Sequence, residues 1–204
     1  MKKDRRIAPD YKRRPPFKEI KESFLIICEG ENTEPEYFKS FKLSSARIKM
    51  LGNMNQANAL FFIKEAIKYK QQRSNYDHYW VVFDMDNNST NDFNQAIELA
   101  KKEGFGVAYS NQSFELWFLL HFRYFHGKLH RREYKKKLNG SLRFNYEKDK
   151  HTAKRMYDAL IQKQNDAIAN AKRLYEFVGD HNSPANEESS TTVFMLVEEL
   201  NKFL

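Results

Sequence analysis

The chain has 204 residues, a formal net charge of +8, one cysteine, and 41% hydrophobic residues that include 17 Phe and 11 Tyr. That length suits one generous domain, or a core of about 120 residues with an appended helical part, and the aromatic content excludes global disorder. No apolar run reaches the ~18 residues of a membrane span, the basic start lacks a signal-peptide apolar stretch, and Cys28 alone supports neither an intramolecular disulfide nor a cysteine-based zinc ribbon, so a cytoplasmic protein is expected.

Residues 1–21 carry nine Lys/Arg against three Asp/Glu and three of the five prolines, the composition of a flexible basic arm. Phe24-Leu25-Ile26-Ile27-Cys28 is a short apolar run stopped by Glu29-Gly30; its length and abrupt end predict a buried strand. Thr33 as cap, Glu36 three residues on and Pro35 in the first turn predict a helix with a capping box. A second strand is predicted over Arg47 to Leu51, with a turn at Gly52-Asn53, then a helix from Ala57 through Ile67 by its apolar spacing. His78 to Phe83, aromatic and β-branched, predicts a third strand ending at Asp84. A polar loop follows, then a helix capped by Thr90 or Asn91 over Phe93, Ala96, Ile97 and Ala100. Gly104 ends it, and Phe105 to Tyr109 forms a fourth strand. The alternation predicts an α/β fold whose mainly parallel sheet is flanked by helices.

Beyond Ser110 the pattern turns helical: Phe114 to Phe122 with Ser113 as cap, a basic helix over Lys128 to Leu138, and a long stretch from Thr152 to Val178 broken near Gln164. Leu142 to Tyr146 reads as a strand, Asp180 to Ser190 as a polar loop, and Thr192 to Phe203 as a terminal helix. The expected organisation is a basic arm over 1–21, an α/β core over 22–122, and a basic and helical extension over 123–204 packed on the core.

Two acidic features lie just past predicted strands: Glu29 after the first, Asp84-Met85-Asp86 after the third. In a parallel sheet both strand ends reach the same edge, where open α/β sheets bind ligands. Carboxylate oxygens are hard ligands suited to Mg²⁺ or Mn²⁺, and three clustered acids would repel each other without a cation. Each acid alone also fits a cap or a solvated turn; their joint placement points to a metal site. Glu115, in the first turn of its helix, is a candidate fourth acid or supporting partner, or a glutamate that answers the helix dipole. His121, among Trp117, Phe118 and Phe122, reads as a packed core histidine. Residues 121–155 carry twelve Lys/Arg against three Asp/Glu, which favours a polyanion partner over a solvated surface. Arg131, Arg132, Lys135 and Lys136, with Phe125 and Tyr134 interleaved, form a candidate nucleic-acid backbone stripe. Lys148 and Lys150 are candidates to meet a phosphate, with solvated positive charge as the competing reading. No Walker A loop and no G-x-G-x-x-G occur, which argues against an intrinsic ATPase or dinucleotide enzyme.

The run Cys28-Glu29-Gly30-Glu31-Asn32-Thr33-Glu34-Pro35-Glu36-Tyr37-Phe38 resembles the opening motif of the RloB family of bacterial restriction and anti-phage loci. Val82-Phe83-Asp84-Met85-Asp86 resembles its second motif. Ser110 to Phe122 resembles its third, with Gln112 where that motif carries proline. The family is similar to Toprim domains, the metal-binding fold of topoisomerases, primases and certain nucleases. The resemblance implies a Toprim-like core with a helical C-terminal extension, Glu29 as the lone glutamate and Asp84 and Asp86 as the aspartate pair. It further implies a Mg²⁺- or Mn²⁺-dependent nuclease of anti-phage defence, with Glu115 assisting, nucleic acid as substrate and a separate ATPase as partner. The alternative is a non-catalytic nucleic-acid or nucleotide sensor or adaptor within a defence complex.

Overall fold

The computed structural model describes residues 22–43, 46–50, 58–73 and 75–204, and of 46–50 and Arg131 it describes the backbone alone. The basic arm over 1–21, the Gly52-Asn53 turn and the predicted starting residue of the second helix, Ala57, lie outside the described residues. The chain runs β1 (Phe24–Cys28), α1 (Thr33–Lys39), β2 (Ala46–Met50), α2 (Ala59–Gln72), β3 (His78–Asp84), α3 (Thr90–Lys102), β4 (Gly106–Asn111), α4 (Glu115–Leu120), α5 (Arg131–Asn139), α6 (Lys150–Leu160), α7 (Gln164–Val178), β5 (Ser190–Thr191) and α8 (Val193–Asn201).

The strands form one sheet in the order β2-β1-β3-β4-β5. The first four are parallel, and β5 pairs antiparallel with the end of β4. β1 is apolar at every position because both of its faces are buried. Phe24, Ile26 and Cys28 enter one core, packed under α1, α4, α6, α7 and α8. Leu25 and Ile27 enter the other, under α2 and α3. β3 and β4 divide in the same way, with Val82 and Ala108 on the first face and Val81, Phe83, Val107 and Tyr109 on the second. Every residue of α4 is buried, and its Trp117 indole donates a 3.0 Å hydrogen bond to the Tyr37 hydroxyl of α1. Among the described residues no helix is long and apolar enough to cross a membrane.

Several local expectations change. The capping box at Thr33 and Glu36 does not form: Asn32 holds the cap position without a side-chain bond, Thr33 is buried as the first helical residue, and Glu36 pairs with Lys39 at 2.7 Å. Ser113 does not cap α4, because its hydroxyl donates instead to Glu115 Oε2 at 2.5 Å. The cap of α3 is Ser89, which accepts from the Asp92 N–H at 3.0 Å. Leu142 to Tyr146 is no strand; among the described residues no strand offers it a ladder, and Tyr146 N–H bonds to Asn139 Oδ1 at 2.6 Å. β4 extends two residues past its expected end because β5 pairs with Ser110 and Asn111. The break near Gln164 is a 3-10 turn over Ile161–Lys163 between α6 and α7.

Candidate active site

The chain crosses to β2 on one side of β1 and to β4 on the far side of β3, so the strand order reverses between β1 and β3. A crevice opens at such a switch point, outside the carboxyl ends of the two strands. Here its volume is about 730 Å³, and Glu29, Glu34, Asp84, Asp86, Asn88 and Lys148 line it.

Register fixes the first pair. Cys28 lies opposite Val82, and the Glu29 N–H donates to the Val82 carbonyl at 2.9 Å, which brings Glu29 beside the last residues of β3. Glu29 Oε2 accepts a long 3.4 Å bond from the Asp84 N–H. Asp84 is only 7% exposed. Its Oδ2 accepts from the Phe114 N–H at 3.0 Å, while its Oδ1 is buried with no hydrogen-bond partner among the described residues. The next turn is pinned by its backbone: Met85 N–H donates to Ser110 O at 2.9 Å and Asp86 N–H to Gln112 O at 3.1 Å. The Asn111–Gln112 peptide is cis, and Asp86 takes a left-handed φ of 42°, a region that aspartate tolerates better than most residues. Asn88 ties this loop to α2. Its amide donates to the Met85 carbonyl at 2.9 Å, and its Oδ1 accepts from the Ala59 N–H at 2.6 Å.

Glu34, in the first turn of α1, is a wall residue that the sequence reading missed as a site acid. It approaches Gly30 so closely that a Cβ there would collide with its carboxylate. The available signal was the spacing: one motif carries Glu29 and Glu34 on either side of the Gly30 turn. Burial pushes the Glu29 and Glu34 carboxyls up to about 7, with neighbouring acids adding to the effect. Burial likewise pushes Asp84 well above the carboxylate range, and Glu34 and Asp86 reinforce the shift.

Glu115 answers burial differently. It is 1% exposed and does not line the crevice. Its Oε1 accepts from the Tyr146 hydroxyl at 2.7 Å and pairs with Lys148 Nζ at 2.8 Å, while Oε2 takes the Ser113 hydroxyl. Burial raises its carboxyl, but Lys148 and these hydrogen bonds outweigh that and hold it below its ordinary value. Lys148, half-exposed at the crevice wall, has its ammonium stabilised: desolvation works against it, and the Glu115, Asp84 and Glu34 carboxylates prevail. Glu115 thus positions Lys148 against the acids.

The remaining candidates lie elsewhere. Lys150 is exposed at the start of α6 and is not among the crevice residues. Arg132, Lys135 and Lys136 are exposed on α5, where Lys135 pairs with Glu147 at 2.6 Å; the Arg131 side chain lies outside the described residues. His121 is a core residue, bonded to the Trp117 carbonyl at 2.9 Å and held down to about 4 by burial.

Among the described residues no three carboxylate, imidazole or thiol side chains close on a common point for a metal ion. Comparison with curated proteins and with solved structures finds no match. The family model described as RloB-like protein matches residues 24–200, from β1 to the last turn of α8, and the chain belongs to that family.

Proposed function

We propose that the chain is a divalent-metal-dependent, Toprim-like nuclease, hydrolysing phosphodiesters in the cytoplasm as an effector of anti-phage defence. The observation that carries this reading is Asp84: a carboxylate at the switch point, buried, with one oxygen unpartnered and acids around it. Mg²⁺ fits that donor set, since it takes one or two carboxylates and completes its octahedron with waters and substrate phosphates instead of a protein cage. The lack of three converged ligands is compatible with such a partial site. Asp84, Asp86 and Glu29 would hold Mg²⁺ or Mn²⁺. Bound there, it supplies Lewis acidity toward a phosphate oxygen and activation of a water. Lys148 Nζ, kept protonated by Glu115, donates to a phosphate or leaving oxygen as negative charge grows on it. Asn88 and the backbone bonds at Met85 and Asp86 hold the aspartate loop rigid through the step. Exposed Arg132, Lys135, Lys136 and Lys150 supply backbone attraction, and a separate ATPase would govern the effector.

The test is a panel of plasmid, single-stranded DNA and tRNA with Mg²⁺, Mn²⁺ or EDTA. Cleavage by wild type should require metal and vanish in Asp84→Ala and Glu29→Gln. Equal cleavage by wild type and Asp84→Ala overturns the proposal. The unconverged acids also favour a second reading, a binding module of a defence complex, which would bind polyanions in EDTA and turn nothing over in any metal.

A further inference from the structure

Away from the crevice, the loop that follows α4 meets α7 in a run of aromatic and cationic side chains that no step above uses. Arg173 Cζ lies 4.1 Å from the centroid of the Tyr124 ring. Tyr124 and His126 have ring centroids 5.5 Å apart, tilted by 32°. His126 in turn lies 5.4 Å from Phe177. Ten residues before Arg173, in the 3-10 turn that precedes α7, Lys163 Nζ sits 4.8 Å over Phe122, just past the end of α4. Arg173 and Phe177 are four residues apart and share a helix face. Phe177 is 68% exposed, and Arg173, Lys163 and His126 are exposed as well. Scattered single exposed aromatics are ordinary, but a connected exposed group marks an interaction surface.

The loop that carries these rings is held at its far end. Ser189 Oγ donates to the Gly127 carbonyl, Lys128 pairs with Glu188 at 3.1 Å, and Leu129 is buried. The rings therefore stand in place before any ligand arrives, which lowers the entropy cost of binding. The anchor also sets their position on the sheet. Ser189 precedes Ser190, which pairs with Asn111; the neighbouring Ser110 pairs with Asp84. The loop is thus tied to the same sheet edge as the crevice, with β5 two strand spacings, roughly 10 Å, from β3.

We infer that Tyr124, His126 and Phe177, with Arg173 and Lys163, form a stacking platform for single-stranded nucleic acid leading toward the Glu29–Asp84 crevice. Flat π faces interleaved with cations take bases regardless of sequence and attract the phosphates between them. A duplex keeps its bases stacked on each other and offers the platform nothing to stack on. Arg173 over Tyr124 and Lys163 over Phe122 set cations directly beside the rings, the pairing that suits a polyanion with flat bases. The path to the crevice rests on the proposed nuclease reading; the platform itself does not.

The experiment is fluorescence anisotropy in EDTA, so that no cleavage intervenes, with labelled oligo-dT and oligo-rU of roughly 15 nucleotides and a duplex of equal length. Wild type should bind both single strands and prefer them to the duplex. Phe177→Ala and Tyr124→Ala should each weaken binding roughly tenfold, and Phe177→Leu, which keeps apolar bulk without an aromatic face, should weaken it as well. Phe177→Ala removes an exposed side chain, and an unchanged melting temperature confirms that the fold is intact. Equal affinity of wild type and Phe177→Ala for both single strands, or duplex bound as tightly as single strand, overturns the platform. Binding of no oligonucleotide also overturns it and leaves the surface to a protein partner. Phe177-dependent binding without turnover in any metal keeps the platform and removes the nuclease.

Discussion

The acid wall of the crevice and the knot around Glu115 bury carboxylates within one strand-to-helix connection of each other, with opposite results. Asp84 receives one N–H at 3.0 Å and keeps a second oxygen without a partner. Glu115 receives two hydroxyls and an ammonium, all within 2.8 Å. Burial pushes Asp84 up, and like charges add to the rise; Glu115 is buried as well and still ends below its usual value. Depth therefore does not decide the state of a buried acid; the supply of donors does. A wall left short of donors is suited to a cation, and a saturated acid is suited to hold a neighbour still.

The largest effect expected from that contrast comes from opening the knot. Glu115→Ala leaves the Tyr146 and Ser113 hydroxyls without their acceptor and Lys148 without its counter-ion, and should cost about 3–4 kcal/mol in urea unfolding. A loss below about 1 kcal/mol, the scale of an exposed pair, would break the comparison. His121 shows a third outcome, in which a buried group without a charged partner stays neutral. Its folded value near 4 lies below the unfolded 6.5. The unfolded chain therefore takes up a proton first as pH falls, and the stability present above pH 6.5 is lost on the way down to about 4. Measured against His121→Gln across that window, wild type should lose roughly 3 kcal/mol more; parallel pH profiles would contradict a neutral, buried imidazole.

A somewhat smaller effect is expected at the acid wall. At a hundredfold excess over its dissociation constant, Mg²⁺ should stabilise wild type by about 2.7 kcal/mol and leave Asp84→Asn unmoved in a thermal melt. Identical shifts in both proteins would place the ion elsewhere. Smallest is the cap of α6, where Asp149 Oδ1 accepts from the Thr152 N–H at 2.7 Å just after Lys148. Asp149→Ala should lower stability slightly and reduce activity beyond that loss, because the cap fixes the segment that carries Lys148. If activity falls only as stability does, Lys148 is positioned by Glu115 alone.

What could be read from the residues follows from how locally each feature is determined. β1 and β3 were legible because parallel strands buried on both faces leave unbroken apolar runs, and the acids that end those runs lie at the same edge by topology. Glu34 was not legible as a wall residue: an acid in a first helical turn serves the dipole as a rule, and only the close approach of α1 to Gly30 turns it inward. The caps at Thr33 and Ser113 failed because each side chain has a competing tertiary partner, Tyr146 in one case and Glu115 in the other. β5 was invisible, being two polar residues whose strand character comes wholly from β4. The alternating Leu142 to Tyr146 segment has strand-like spacing, but it packs on helices.

That short strand governs how portable the motif-bearing half of the chain is. Ser110 and Thr191 join hydroxyls at 3.0 Å, Thr192 Oγ1 accepts from the Tyr109 N–H at 2.9 Å, and its hydroxyl reaches the Val107 carbonyl at 2.9 Å. Residues 81 to 85 positions apart are thus stitched across the border of the sheet, next to the strand that supports Asp84. Grafting the first 122 residues onto another protein would leave β4 as a raw edge open to self-association. In this chain the crevice and its helical companion form a single structural unit, and transplanting one means carrying the other.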